Sequence, residues 1–222
     1  MSEKIRVADG VDGELATPAG DGEVPGLIVV HEWFGITDHV RALCDRLAAE
    51  GYLALAPDLY HGERATNEED ASLLMQKLST GAAMQDVAAA VARLEQDPRC
   101  NGRIGIVGFC MGGAMAFAAA ASVEGLRAAV PFYGIPIPGY FDASKVKCPI
   151  QAHFAARDEW ATPARAQKFQ SEVQANGGEM ELHVYDAGHA FMREGDERAY
   201  DAKAANEAWS RALAYLAAKL KG

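Results

Sequence analysis

The segment Gly108-Phe109-Cys110-Met111-Gly112-Gly113 constrains the fold of this chain more than any other. It follows the apolar run Ile104-Gly105-Ile106-Val107 directly and leads into alanine-rich residues 114–121. A strand that turns sharply into a helix through G-x-nucleophile-x-G is a nucleophile elbow, whose middle residue stands at the tip of a strained turn. Small residues flank that tip because strand and helix backbones pass close together there. Such a unit belongs in a sheet covered by helices, and the residue at its tip is here a cysteine.

The remaining patterning agrees. Residues 24–30 and 52–56 read as buried strands. Between them, residues 37–50 carry Val40, Leu43, Cys44 and Leu47 at helical spacing and stop at Gly51. Residues 71–78 and 84–94 read as helices broken near Gly81, residues 103–107 as the elbow strand and 111–123 as its helix. Strands follow over 126–132, 149–154 and 179–184, with a helix over 163–175. A last amphipathic helix over 198–220 sets Ala205, Trp209, Ala212, Leu213, Leu216 and Leu220 on one face. Residues 4–7 and 13–17 form a short antiparallel pair at a sheet edge. Residues 61–70, charged and weakly patterned, are expected as a mobile loop or cap element. This alternation predicts an α/β fold with a largely parallel sheet and helices on both faces. With no repeat or linker in view, it predicts one domain over residues 1–222.

Composition narrows the function classes. A net charge of -10 without a lysine or arginine cluster argues against a nucleic-acid groove. The first residues lead into no apolar core of a signal peptide, and residues 111–123, the longest nearly apolar stretch, are too few to span a bilayer. Cys44, Cys100, Cys110 and Cys148 show neither C-x-x-C pairing nor zinc-ligand spacing, so free thiols in a reducing cytoplasm are expected. Cys44 and Cys148 sit in apolar patterns and read as packing residues. Cys110 alone sits where chemistry would place it.

A cysteine nucleophile needs a base to take its proton and a carboxylate to orient that base. On an elbow the order along the chain is nucleophile, acid, histidine. Asp158, on the loop after the strand at 149–154, is the first suitable acid, with Glu159 as a weaker alternative. His189, in Gly188-His189-Ala190 after the last strand, is the candidate base. His39, His153 and His183 fall within elements, and His61 precedes the nucleophile. Asp186 is close enough to His189 in sequence to cap the turn instead. The backbone N–H groups of Met111 and Trp33 are candidates for stabilising an oxyanion. Tyr60, Tyr133 and Trp160 are candidate pocket-lining side chains, with ordinary wall packing as the alternative.

Five segments in order resemble the dienelactone hydrolase (carboxymethylenebutenolidase) family of α/β-hydrolases. They are His31-Glu32-Trp33-Phe34-Gly35-Ile36, Pro57-Asp58-Leu59-Tyr60, the elbow, Arg157-Asp158 and Gly188-His189-Ala190-Phe191. The resemblance implies the α/β-hydrolase fold and a hydrolase that uses a Cys110-Asp158-His189 triad, with no metal and no cofactor. It implies that Glu32 keeps the thiol neutral at rest and takes its proton when substrate binds. It also implies that Arg193 pairs with a substrate carboxylate, while Glu194 and Asp196 offer alternative partners. The expected substrate is a small ester or lactone, carboxylate-bearing ones included, cleaved through a thioester. The family's best-known members carry a second arginine with aromatic companions after Pro-Asp-Leu-Tyr, whereas residues 61–79 here offer only Arg64 and Lys77 and no tryptophan. Two alternatives stand beside this reading. One is a promiscuous carboxylesterase or thioesterase of the same fold. The other is a non-catalytic protein that uses Cys110 as a reactive thiol for binding or redox sensing.

Overall fold

A computed structural model describes residues 2–222. Its eight strands are β1 (Glu3–Ala8), β2 (Val11–Ala16), β3 (Val24–Val30), β4 (Leu53–Pro57), β5 (Cys100–Phe109), β6 (Leu126–Phe132), β7 (Ile150–Ala155) and β8 (Met180–Tyr185). They form one sheet in the order β1-β2-β4-β3-β5-β6-β7-β8. The β1–β2 and β2–β4 pairs are antiparallel, and every other pair is parallel. The expected antiparallel edge is therefore present, and the rest is an α/β-hydrolase sheet.

Successive strand residues point to opposite faces, so the central strands must be apolar throughout. In β3, Ile28 and Val30 enter one core and Leu27 and Val29 the other. The first core is closed by α2 (Glu68–Lys77), α3 (Thr80–Glu95), α4 (Met111–Ser122) and α5 (Pro163–Ala175). The second is closed by α1 (Asp38–Ala49) and α6 (Ala202–Leu220). Helix α4 is apolar nearly all round, as befits a helix packed between the sheet and its neighbours. Cys44 and Cys148 are buried as expected, and burial pushes the Cys148 thiol up to about 12. Among the described residues no helix is long and apolar enough to cross a membrane.

Helix starts depart from the sequence expectations, and caps explain each departure. Helix α2 begins at Glu68 rather than 71 because the Asn67 side chain accepts the Asp70 amide at 2.9 Å, so the end of the 61–70 segment is helical. The break before α3 falls at Leu78-Ser79, where Ser79 Oγ accepts from Ala82, and Gly81 lies in the first turn. Helix α6 starts at Ala202 rather than 198 because Asp201 caps Ala204 at 2.9 Å. Its buried face runs through Ala204, Ala205, Ala208, Ala212, Tyr215, Leu216 and Leu220. Trp209 and Leu213, expected on that face, lie half-buried at its margin.

Candidate active site

Cys110 stands between the end of β5 and the start of α4 with φ of 54°. A non-glycine residue in that region costs on the order of 1–3 kcal/mol and persists only where its surroundings hold it. Here the Cys110 amide donates to Phe132 O on β6, and the Ala114 amide donates to Cys110 O, each at 3.1 Å. The tightest approach is at Gly108, where a Cβ would collide with the Gly112 carbonyl, and at Gly112 a Cβ would collide with the carbonyl of Val30. Gly134, on the loop after β6, is packed equally hard against the Cys110 carbonyl. Gly134 is a site residue that the sequence reading missed, because the elbow motif does not reach the neighbouring strand's loop.

Asp158 and His189 lie on the loops that leave the carboxyl ends of β7 and β8, the end at which open α/β sheets build their sites. Asp158 is buried. Its Oδ1 accepts the amides of Trp160 and Ala161, both at 2.9 Å, which turns Oδ2 towards His189. His189 Nδ1 donates to Asp158 Oδ2 at 2.6 Å, and Nε2 lies 3.1 Å from Cys110 Sγ. The chain therefore runs carboxylate, imidazole, sulfur. Burial works to raise the Asp158 carboxyl, but hydrogen bonds from His189 and the two amides outweigh it and hold the group below the usual range. Burial likewise disfavours the His189 imidazolium, yet Asp158 and the Cys110 sulfur raise the ring to about 10. The rivals stand elsewhere. Asp186 pairs with Arg157 at the surface, His61 pairs with Asp86 at 2.8 Å, and Glu159 is exposed.

The loop after β3 is shaped by His31, whose role the sequence reading also missed. The Leu59 amide donates to His31 Nε2 at 3.2 Å, so the neutral ring carries its proton on Nδ1, which donates to Glu32 O at 2.7 Å. Burial lowers the His31 pKa and keeps the ring neutral. A buried histidine at a strand end was the available signal. Tyr60 fixes the same loop, donating from its hydroxyl to Trp33 O at 3.1 Å with Met111 Sδ at 3.2 Å. Trp33 and Met111 are thus brought together across Tyr60. The Met111 amide opens α4, where first-turn N–H groups have no intrahelical acceptor and face the positive end of the helix dipole.

Glu32 and Arg193 meet beside the triad. Arg193 Nε donates to Glu32 Oε2 at 2.8 Å, and Nη1 lies 3.6 Å from Asp196. The guanidinium also lies 5.5 Å from the Phe34 ring, a contact that the sequence reading did not anticipate. Phe191 and Met192, both buried, anchor the segment that carries Arg193. Glu32 Oε1 is buried with no hydrogen-bond partner. Tyr133 is fully buried with φ of 36°, and its ring meets that of His189 edge-on at 5.3 Å. Trp160 meets His189 edge-on from the exposed side, also at 5.3 Å.

An elbow after β5, with an acid and a histidine on the loops after β7 and β8, defines an α/β-hydrolase. The chain belongs to the dienelactone hydrolase family, whose sequence model matches residues 11–220. It is 34% identical over 220 residues to a protein of Aquifex aeolicus named "Putative carboxymethylenebutenolidase", covering 95% of this chain and 94% of that one. It is 32% identical over 227 residues to a Bradyrhizobium protein named "Probable 2-oxo-3-(5-oxofuran-2-ylidene)propanoate lactonase", covering 93% and 91%. A crystal structure described as a "Putative Dienelactone Hydrolase" of Klebsiella pneumoniae superposes with a TM-score of 0.88 at 28% identity, covering 98% of each chain. The protein is a dienelactone hydrolase-like hydrolase.

Proposed function

We propose that this hydrolase cleaves small esters or lactones through a thioester formed on Cys110. The observation that carries the reading is the continuous contact from Asp158 through His189 to Cys110 Sγ, at 2.6 and 3.1 Å. Glu32 takes the thiol proton when substrate binds, and the thiolate, facing the charged His189 ring, attacks the substrate carbonyl carbon. The carbonyl π electrons move onto oxygen, which the Met111 and Trp33 amides stabilise. Collapse reforms the carbonyl and breaks the C–O bond to the alcohol, which leaves with the proton from His189. In the second half His189 deprotonates water, the hydroxide attacks the thioester, and the C–S bond breaks. The products are a carboxylic acid and an alcohol, and the proton held by Glu32 returns to the sulfur, so that Cys110, Glu32 and His189 are restored. Asp158 keeps the imidazole oriented and stabilises its charged form.

Glu32 guards the thiol in this reading. Paired with Arg193, it leaves the Cys110 sulfur facing His189, and its unpartnered Oε1 gives it reason to exchange partners. The family and the lactonase relative favour lactones, and Arg193, once released by Glu32, would hold a substrate carboxylate through paired hydrogen bonds. A broader carboxylesterase is the second reading, favoured because Arg193 is engaged by Glu32 and Asp196. Turnover of p-nitrophenyl acetate with mass spectrometry of the stalled enzyme tests the mechanism. The acyl group is expected on Cys110, and Cys110→Ala is expected to abolish turnover. A Cys110→Ala protein with full activity would sink the thioester reading and would also remove the case against a thiol-based redox role being the only use of this cysteine.

A further inference from the structure

Trp160 differs from the other aromatic side chains of the site. Its residue is 70% exposed, while Tyr60 and Tyr133 are buried. Large aromatic side chains are well buried on average. The backbone around it is firmly held. Its amide donates to Asp158 Oδ1 at 2.9 Å, and its carbonyl accepts from Arg165 Nη1 at 3.2 Å. The ring stands edge-on to His189, inclined at 72°. The structure thus presents a positioned indole to solvent beside the imidazole. An exposed aromatic ring held beside a reactive imidazole is placed to contact a ligand.

Charge around the ring is mixed. Arg193 already faces two carboxylates, Glu32 and Asp196. Glu159, next to Trp160, is exposed, while Asp186 on the histidine loop pairs with Arg157, and Arg165 reaches the Trp160 carbonyl. Selection at the ring therefore falls to the apolar face of the indole rather than to charge. The position of the ring also selects which half of an ester it would touch. In the thioester reading, on which this inference rests, His189 Nε2 gives its proton to the departing alcohol. A group resting against the ring that flanks His189 therefore belongs to the alcohol half, while the acyl half stays on Cys110.

We propose that Trp160 is a specificity-determining residue that receives the alcohol half of the substrate. The preferred substrates are then esters whose alcohol is aromatic or extended and apolar. The test uses acetate esters that differ only in the alcohol, from methyl acetate to 2-naphthyl acetate, with kcat/KM measured for the wild type, Trp160→Ala and Trp160→Phe. Every member forms the same acetyl-enzyme, so deacylation is common to all. Comparing each variant with the wild type cancels the intrinsic reactivity of the esters. Trp160→Ala is expected to lose roughly tenfold more on 2-naphthyl acetate than on methyl acetate, and Trp160→Phe to keep most of that discrimination.

A purely structural role for Trp160 would lower both esters alike. An unchanged ratio in Trp160→Ala would overturn the proposal. So would a loss that follows the acyl chain, from p-nitrophenyl acetate to octanoate, instead of the alcohol. Trp160→Gln makes the same comparison if the alanine variant does not fold. Failure of the underlying mechanism is read separately, from turnover in Cys110→Ala.

Discussion

The triad and the Glu32–Arg193 pair lie side by side but are built differently. In the triad every polar atom has a partner: two amides and His189 on Asp158, and Asp158 and Cys110 on His189. The neighbouring pair is unbalanced. Arg193 is shared between two carboxylates, and Glu32 keeps one buried oxygen without a donor. A fully satisfied network holds one geometry. An unsatisfied buried carboxylate oxygen costs free energy that another arrangement, such as a hydrogen bond from the thiol, would recover. In the proposed reading the triad stays rigid and Glu32 changes partner.

The largest effect that sharpens this contrast is expected at His189. Replacing it by Gln removes the base, and kcat should fall by roughly 10²–10⁴-fold while the melting transition stays cooperative. A loss below tenfold would mean that the contact chain does not carry the proton. The Glu32 side is tested through stability. Arg193→Ala leaves Glu32 buried without its cation, so unfolding in urea should show a loss of about 3 kcal/mol. Adding Glu32→Gln to that variant should recover part of the loss, since the uncompensated charge is gone. No recovery in the double variant would show that the two side chains are not coupled.

How far the site was legible in the sequence follows the same division. Cys110, Asp158 and His189 announced themselves because the elbow needs glycines at fixed spacing and the strand order places acid and histidine on later loops. The sheet was legible for a similar reason, as runs such as Leu27-Ile28-Val29-Val30 must be buried on both faces. The Glu32–Arg193 pairing was not legible, because the two residues are 161 positions apart and either had nearer partners. Gly134 and His31 were missed because each acts on a neighbouring strand's loop. The starts of α2 and α6 were misplaced because apolar periodicity fades in a first turn, where caps decide the boundary.

The two halves of the triad should also separate with pH. His189 is raised from the usual 6.5 to about 10, so the stability its charged form contributes is fully present below 6.5 and is lost as pH rises through about 10. Asp158 is lowered, so its contribution is present above the unfolded value of 3.8 and is lost as pH falls below that. The melting-temperature gap between the wild type and His189→Gln should therefore be wide near neutrality and should close towards pH 10. A gap that closes already near pH 6.5 would mean that Asp158 and Cys110 do not hold the imidazolium.

The smallest expected effect falls at Tyr60, which stands between the two regions. Its hydroxyl touches Trp33 O and Met111 Sδ, so it ties together the two residues whose amides are proposed to face the oxyanion. Tyr60→Phe keeps the ring against His31, 5.0 Å away, and removes only the hydroxyl. One hydrogen bond of this kind contributes about 1 kcal/mol, and the Trp33 carbonyl loses its donor. If the bond fixes oxyanion geometry, acylation should slow by about fivefold, while a loss confined to stability should leave acylation unchanged. Rapid-mixing measurement of the first turnover separates the two outcomes. A slowed first turnover would place Tyr60 with the preorganised triad; an unchanged one would leave it as packing for the loop that carries Glu32.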